Sequence, residues 1–405
     1  MVKRANGEGT LSKRKDKSGK VIGWRAGVTV GYKPDGSQDR RWVSGKTQAE
    51  VQEKLRALQS EIHTGMLSDT EGLTVAAYLT RWYESKERAG VKPNTVQSYR
   101  DTGRLYIVPH IGRVKLEKLR PLDVEHMLSG MTKAGKSPQL LAYALRVLKM
   151  ALRQAVRWQM LPRNVAEGIT APRFHRQEMQ VWTAEQVAAF LDVSQEHRLH
   201  AVFYLALMTG MRRGELLGLK WRDIDWEKAR LTVRNNLVAA RYEAEEGRKL
   251  HGKPVLSKRE LTLQTPKTAG SRRTIVLSPG TIAKLKEHQA RQEAEKANAA
   301  EAWSCEGYVF ASELGTPTDP RSLGRAYSHI VRKAGVPPIR FHDLRHTAAS
   351  LMIHRKIPPK VVSERLGHAD VAFTLRVYAH LYDDQREEAA FDLSDLFPRS
   401  GGAPN

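Results

Sequence analysis

A single cysteine, Cys305, stands in 405 residues, which excludes an internal disulfide framework and a cysteine-built zinc site. That usage fits a reducing compartment, and the protein is expected to be intracellular. Long apolar runs are missing as well. None approaches the roughly 20 residues needed to cross a bilayer, and the opening MVKRANGEGT lacks the apolar stretch of a signal peptide. Membrane therefore drops out. No Gly-x-x-x-x-Gly-Lys loop is present to cradle a nucleoside triphosphate, and there is no long internal repeat. Acidic residues are scarce: 44 Asp+Glu against 67 Lys+Arg leave a net charge of +23. A surplus of that size is most simply held in solution for a polyanion, and with membrane excluded the candidates are DNA and RNA.

What is present exceeds one ordinary core, so two or three domains are expected. In the first segment Trp24, Ala26, Val28, Val30 and Tyr32 alternate with Arg25, Gly27, Thr29 and Gly31, the period of a half-buried strand. Turn signals at Asp16–Gly19 and Lys33–Gly36 flank it, predicting three short antiparallel strands that end near Trp42. A helix follows, with Val51, Leu55, Leu58 and Ile62 on one stripe. Residues 1–46 carry twelve Lys/Arg and four Asp/Glu, so Arg25, Arg40 and Arg41 are candidate DNA contacts; a solvated basic tail is the alternative.

After Gly65 the pattern turns helical. Leu73–Tyr83, Pro93–Tyr106, Leu122–Met131 and Pro138–Gln159 each carry helix-spaced apolar residues separated by turn signals, which predicts a compact four-helix module. In its last helix Leu141, Leu145, Leu148 and Leu152 form an apolar seam, and Arg146, Lys149, Arg153 and Arg157 form a basic stripe displaced around the cylinder. That stripe can track phosphates or simply be solvated. Leu161–Gln180 reads as a linker. A new unit opens at Thr183, where Gln186 completes a capping box. Strand-like runs follow at Leu231–Val233, Leu261–Leu263 and Thr274–Leu277, then helices to Phe397, while Arg241–Gly252 reads as an extended hairpin tip or surface loop.

Four short motifs carry chemistry. In Thr209-Gly-Met-Arg212-Arg-Gly-Glu215 a glycine allows a tight turn, and Arg212 projects where a guanidinium can hold two phosphate oxygens. Glu215, one turn later, supports the Arg212 region or merely satisfies helix-start donors. The run Thr265-Pro-Lys267-Thr-Ala-Gly-Ser-Arg272-Arg273 between two strand-like segments has the look of a tight turn, and its Lys267 can protonate a departing oxygen; solvent exposure is the plain alternative. In Phe341-His342-Asp343-Leu344-Arg345-His346 the helical spacing puts His342 and Arg345 on one face, within reach of one phosphate. His342 and His346 also have the spacing of a zinc helix, but Asp343 replaces the expected Glu and Arg345 would repel a cation, so no metal is expected. In Leu366-Gly-His368 the glycine suits a helix end from which His368 emerges, and Tyr378 follows in Phe373-Thr-Leu-Arg-Val-Tyr378. Tyr378 by itself reads as a core residue, and Tyr382 one turn later is its competitor.

Together, from about Leu73 to Phe397, these motifs resemble the tyrosine recombinase (phage integrase) family, whose signature runs Arg, Lys, His-x-x-Arg, His, Tyr. The N-terminal basic sheet more loosely resembles the arm-binding domain of some integrases. The resemblance implies a multidomain, mainly α architecture with small β-sheets (α+β): an arm-type DNA-binding domain of a three-stranded sheet plus helix at residues 1–65, a helical core-binding (SAM-like) domain at 72–165, and a mixed α/β catalytic domain at 175–397. It also implies that Arg212 and Arg345 clamp the scissile phosphate, that Lys267 protonates the leaving 5′ oxygen, and that His342 assists proton transfer. His368 would bond a non-bridging oxygen, Tyr378 would be the nucleophile and Glu215 a supporting acid. Some relatives have one residue fewer between the second histidine and the tyrosine, a length variation that leaves Tyr378 ahead of Tyr382.

The set makes chemical sense. A phosphodiester repels nucleophiles and its transition state gathers charge on the equatorial oxygens, which two arginines answer. Phenol, with a pKa of about 10, must lose its proton during attack. Attack would leave a 3′ phosphotyrosine and a free 5′ hydroxyl, a nearly isoenergetic exchange that needs no ATP, no cofactor and no metal. The implied partners are double-stranded DNA attachment sites, a homotetramer of the chain and an accessory DNA-bending or directionality factor; the C-terminal helix with Ala389, Ala390, Phe391, Leu393, Leu396 and Phe397 is expected to dock on a neighbour, with ordinary intramolecular packing as the alternative. The implied setting is the cytoplasm of a bacterial or phage-infected cell, and the action is integration or excision of a mobile element. The rivals are a type IB-like topoisomerase, which rejoins the original strand, and a DNA-binding regulator without chemistry.

Overall fold

The computed structural model describes residues 10–15, 19–32, 35–63, 72–173, 179–243, 249–250, 253–254, 257–265, 272–368 and 370–379. The chain divides into two compact units, residues 1–175 and 176–405. Alternation in the first segment yields an antiparallel sheet of order β1-β2-β3, with β1 Thr10–Lys15, β2 Val21–Tyr32 and β3 Gln38–Gly45. Ala26 and Val28 on one face of β2 pack on Val51, Leu55 and Leu58 of helix α1 (Gln48–His63). The opposite face is polar, and Trp42 lies across it opposite Gly27, which has no side chain to obstruct the indole.

Residues 72–171 form a second core. Its helices are α2 (Val75–Arg88), capped by Thr74, α3 (Pro93–Thr102), which runs through a π turn at Gly103–Ile107 into α4 (Val108–Ile111), α5 (Pro121–Lys133) and α6 (Pro138–Arg157). Prolines at the first turns of α3, α5 and α6 cost nothing there, because the missing N–H would be unpaired anyway. The expected linker is corrected in its first half. Leu161, Ala166 and Ile169 are buried in the helical core with Leu145, Leu148 and Leu152, so the segment after α6 folds back instead of leading away.

The second unit opens with α7 (Ala184–Ser194), where Thr183 and Gln186 form the expected reciprocal cap. Helix α8 (His200–Thr209) is apolar almost all round and central, and the short α9 (Arg213–Leu217) follows it. Strands β4 (Ile224–Asp225), β5 (Arg230–Val233) and β10 (Arg273–Val276) make a sheet of order β10-β5-β4. Between β5 and β10 rises a long antiparallel ribbon of β6 (Asn236–Glu243) and β9 (Ser257–Gln264), with the short pair β7 (Lys249–Leu250) and β8 (Lys253–Pro254) between them. Of the two readings of Arg241–Gly252, the extended hairpin is the one the pairing supports, since Arg241, Tyr242 and Glu243 pair with Arg259, Lys258 and Ser257, and Leu250 with Lys253. Helices α10 (Pro279–Ala299), α11 (Pro320–Lys333), α12 (Asp343–His354), α13 (Pro359–Leu366) and α14 (Val371–Tyr378) complete the unit. Helix α12 packs on α8, and α13 on both α12 and α14, which brings the motifs together. Among the described residues no helix is long and apolar enough to cross a membrane.

Candidate active site

Two glycines with positive φ shape the site. Gly210 (φ 64°) ends α8 and turns the chain into α9, and a Cβ there would collide with the Leu366 side chain. Gly367 (φ 68°) ends α13 in the left-handed conformation, so His368 leaves the helix at once. The carbonyls of these two glycines receive the arginines. Arg345 Nη1 donates to Gly210 O at 2.8 Å, and Arg212 Nη2 donates to Gly367 O at 3.2 Å.

Glu215 holds the arginines in place. It is 3% exposed and accepts from Arg212 Nη1 at 2.7 Å, from the Arg212 main-chain N–H at 3.0 Å and from Arg273 Nη2 at 2.9 Å. Burial alone would raise its pKa, but Arg273 and Arg212 outweigh that and hold it below the ordinary carboxylate value. Arg273, on β10, also donates from Nε to Arg365 O at 2.6 Å. Arg273 closes the lysine motif in the sequence, where nothing in its spacing gave it a role. Arg345 is 4% exposed, and its Nη2 is buried with no partner among the described residues. Burial, Arg212 and Arg273 press its pKa down, yet a guanidinium stays charged at neutral pH. A buried donor without an acceptor is costly, and an anionic oxygen would satisfy it.

His342 precedes α12 as an exposed residue whose imidazole is partly shielded, and that shielding followed by the Arg345 charge lowers its pKa. His368 Nδ1 shares a 2.7 Å hydrogen bond with Thr374 Oγ1, and burial with the nearby Arg345 and Arg212 pushes it down to about 3. Tyr378 ends α14, 2% exposed, its ring among Ala349, Ile353, Val362 and Leu366. Burial raises its pKa to about 12, partly offset by Arg345. Its hydroxyl meets His346 Nδ1 at 2.6 Å, a partner the sequence reading considered only as a metal ligand. Lys267, Tyr382 and the expected C-terminal helix of residues 389–397 lie outside the described residues.

The candidate DNA contacts divide by what they touch. Arg25 and Arg40 flank Trp42 on the exposed face of the N-terminal sheet, at 5.0 and 5.2 Å from the ring, whereas Arg41 sits opposite Val28 in the register, on the other side. On α6, Arg146 and Arg157 are exposed. Lys149 instead donates to the main-chain carbonyls of Glu167 and Ile169 at 2.9 and 2.8 Å, so its ammonium ties down the segment after α6. Arg153 pairs with Glu167 at 3.0 Å. A further basic feature escaped the sequence reading. A pocket of about 790 Å³ is lined by Arg213, Arg241, Arg259, Arg321, Arg325 and Arg332, drawn from α9, the β6–β9 ribbon and α11. The α11 members recur at helical spacing, the one trace of it visible in the sequence.

Fold and site define an α+β protein of several cores whose catalytic-type unit gathers buried arginines, histidines and a tyrosine around one point. Residues 180–385 match the phage integrase family, and residues 74–131 match the phage integrase N-terminal SAM-like domain. A tyrosine recombinase XerC-like protein of Caldanaerobacter subterraneus subsp. tengcongensis is 32% identical over 391 residues, covering 94% of this chain and 98% of its own. The ICEBs1 integrase of Bacillus subtilis is 25% identical over 376 residues, 92% of this chain and 97% of its own. Among solved structures, the Tn1549 transposon integrase in complex with a circular intermediate DNA superposes with a TM-score of 0.63 at 20% identity, over 80% of this chain and 99% of that one. A lambda integrase tetramer bound to a Holliday junction gives 0.58 at 17%, over 93% and 96%. The chain belongs to the phage integrase family and is a tyrosine site-specific recombinase.

Proposed function

We propose that the chain integrates or excises a mobile element by cutting and rejoining double-stranded DNA at attachment sites, with Tyr378 as nucleophile. The observation that carries this reading is the buried Arg345 Nη2, without an acceptor among the described residues, on the helix whose His346 holds the Tyr378 hydroxyl. A scissile phosphate seated there would take Arg345 and Arg212 on its non-bridging oxygens, with His368 and His342 at its edge. Glu215, itself paired with Arg273, holds Arg212 in position, and the Gly210 carbonyl holds Arg345. The Tyr378 Oη–P bond forms and the P–O5′ bond breaks. The 5′ oxygen leaves with a proton from Lys267, and a 3′ phosphotyrosine remains. One phosphoester replaces another, so a 5′ hydroxyl from a partner duplex can reverse the step without an external energy source. Two duplexes need four such cuts, which suits a homotetramer acting in pairs; relatives whose names speak of transposons, phages and a Holliday-junction tetramer support that reading. An accessory bending or directionality factor is part of the same proposal, with the Arg25–Trp42–Arg40 face as an arm-site contact.

The test is covalent capture. On a nicked suicide substrate the protein should form a protein–DNA adduct, and Tyr378→Phe should abolish it while gel-shift affinity stays within about threefold, because the lost hydroxyl is already buried. An adduct persisting in the phenylalanine variant would transfer the nucleophile elsewhere. Two matched attachment-site duplexes should yield recombinant joints; relaxed plasmid alone would assign the chain to topoisomerase chemistry.

A further inference from the structure

Tyr378 cannot attack while it holds its proton, and its burial makes that proton harder to remove. With burial pushing the phenol up to about 12, it stays protonated at pH 7. Some group must accept the proton as the P–O bond forms. Of the described histidines of the site, His368 has its Nδ1 on Thr374, and His342 meets the ring of His346, not the phenol. His346 has its Nδ1 2.6 Å from the Tyr378 hydroxyl, with ring centroids 5.9 Å apart.

From this geometry we infer that His346 is the general base of the reaction, accepting the phenolic proton on Nδ1 as Tyr378 Oη closes on phosphorus. The inference rests on Tyr378 being the nucleophile. A phenol is a better donor than a neutral imidazole N–H, and imidazole nitrogen a better acceptor than phenolic oxygen, so the short bond runs from Oη–H to Nδ1, with the imidazole proton on Nε2. The base is also held rigidly: His346 lies on α12 directly after Arg345, and Ala349 and Ile353 of that helix pack on the Tyr378 ring. Substrate would activate it. Burial, His342, Arg345 and Arg340 depress the free imidazole to about 4, with Asp343 opposing them. A phosphate bound to Arg345 and Arg212 cancels part of that positive field, and the second negative charge of the transition state cancels more. The base is therefore weak in the free protein and strengthens where DNA is in place, which protects the tyrosine from idle ionisation. In the balance, the proton passes from Oη to Nδ1, Oη–P replaces P–O5′, and the 5′ oxygen takes its proton from the acid on the other side.

Single-turnover cleavage of a suicide substrate by the full chain separates a base from a parking contact. His346→Ala should slow adduct formation by about 10² or more, and added imidazoles should restore it in proportion to their basicity. His346→Asn places an amide oxygen where Nδ1 stands, keeping the hydrogen bond without the basicity, and should stay as slow as the alanine variant. Cleavage by His346→Asn at the native rate, or an alanine variant indifferent to imidazole, would overturn the inference. Tyr378→Phe, run alongside, keeps the two ideas distinct. An adduct in that variant removes the nucleophile itself, whereas its absence together with a normal His346→Asn removes only the base.

Discussion

Glu215 shows how one buried carboxylate organises three cations. It faces Arg273, whose side chain is 7% exposed, and Arg212, 37% exposed, while Arg345 is buried nearby. Removing it leaves like charges in a dry site, and breaking a buried pair in this way costs about 3–5 kcal/mol. Glu215→Gln should destabilise the protein by that order in denaturant titrations at pH 7. The pH dependence has a definite sign. Because the folded pKa lies below the unfolded one, the stabilisation is complete above the unfolded value near 4.5 and is lost as pH falls through the depressed folded value. The gap between native and Glu215→Gln stability should therefore close on acidification, and a gap constant with pH would mean the carboxylate acts by packing alone. The sequence showed Glu215 and Arg212 together because they are three residues apart on one helix start. It did not show the Tyr378–His346 contact, since 32 residues separate the pair and only the packing of α12, α13 and α14 closes that distance.

Helix α6 shows what periodicity reveals and what it leaves out. Its apolar seam was legible, and Leu141, Leu145, Leu148 and Leu152 are all buried. The basic stripe was legible as charge but not as partnership. A lysine within reach of two main-chain carbonyls is a tie, and nothing in the spacing of Lys149 foretells the return of residues 167 and 169. Lys149→Met should lower the stability of the chain by about 1 kcal/mol, because an exposed and a part-buried main-chain carbonyl lose a charged donor, and leave DNA affinity nearly unchanged. Arg146→Ala should do the reverse. A large affinity loss in Lys149→Met without loss of stability would return that residue to the DNA contacts. Strand β6 was missed for a related reason: Leu237, Val238, Ala239 and Ala240 run consecutively, without the alternation that marks a strand, and the pairing with β9 decides their conformation.

At the scale of the whole molecule the charge of +23 calls for a polyanion but does not say where it lies. The arginine pocket on α9, α11 and the ribbon answers part of that, since its members converge only after folding. Arg321 and Arg325 are exposed and one helical turn apart on α11, the spacing at which two guanidiniums can reach neighbouring phosphates. If they do, each releases about one condensed counterion on binding, and the slope of log K against log salt should fall by about 1 for each removed. Arg321→Ala with Arg325→Ala should therefore flatten the slope by about 2 and weaken attachment-site and unrelated DNA by the same factor, because phosphate contacts carry no sequence information. Tyr378→Phe, which removes no charge, should keep the native slope. An unchanged slope in the double variant would mean that the pocket faces away from the duplex and that the surplus charge meets DNA elsewhere, with the N-terminal Arg25 and Arg40 face the next place to measure.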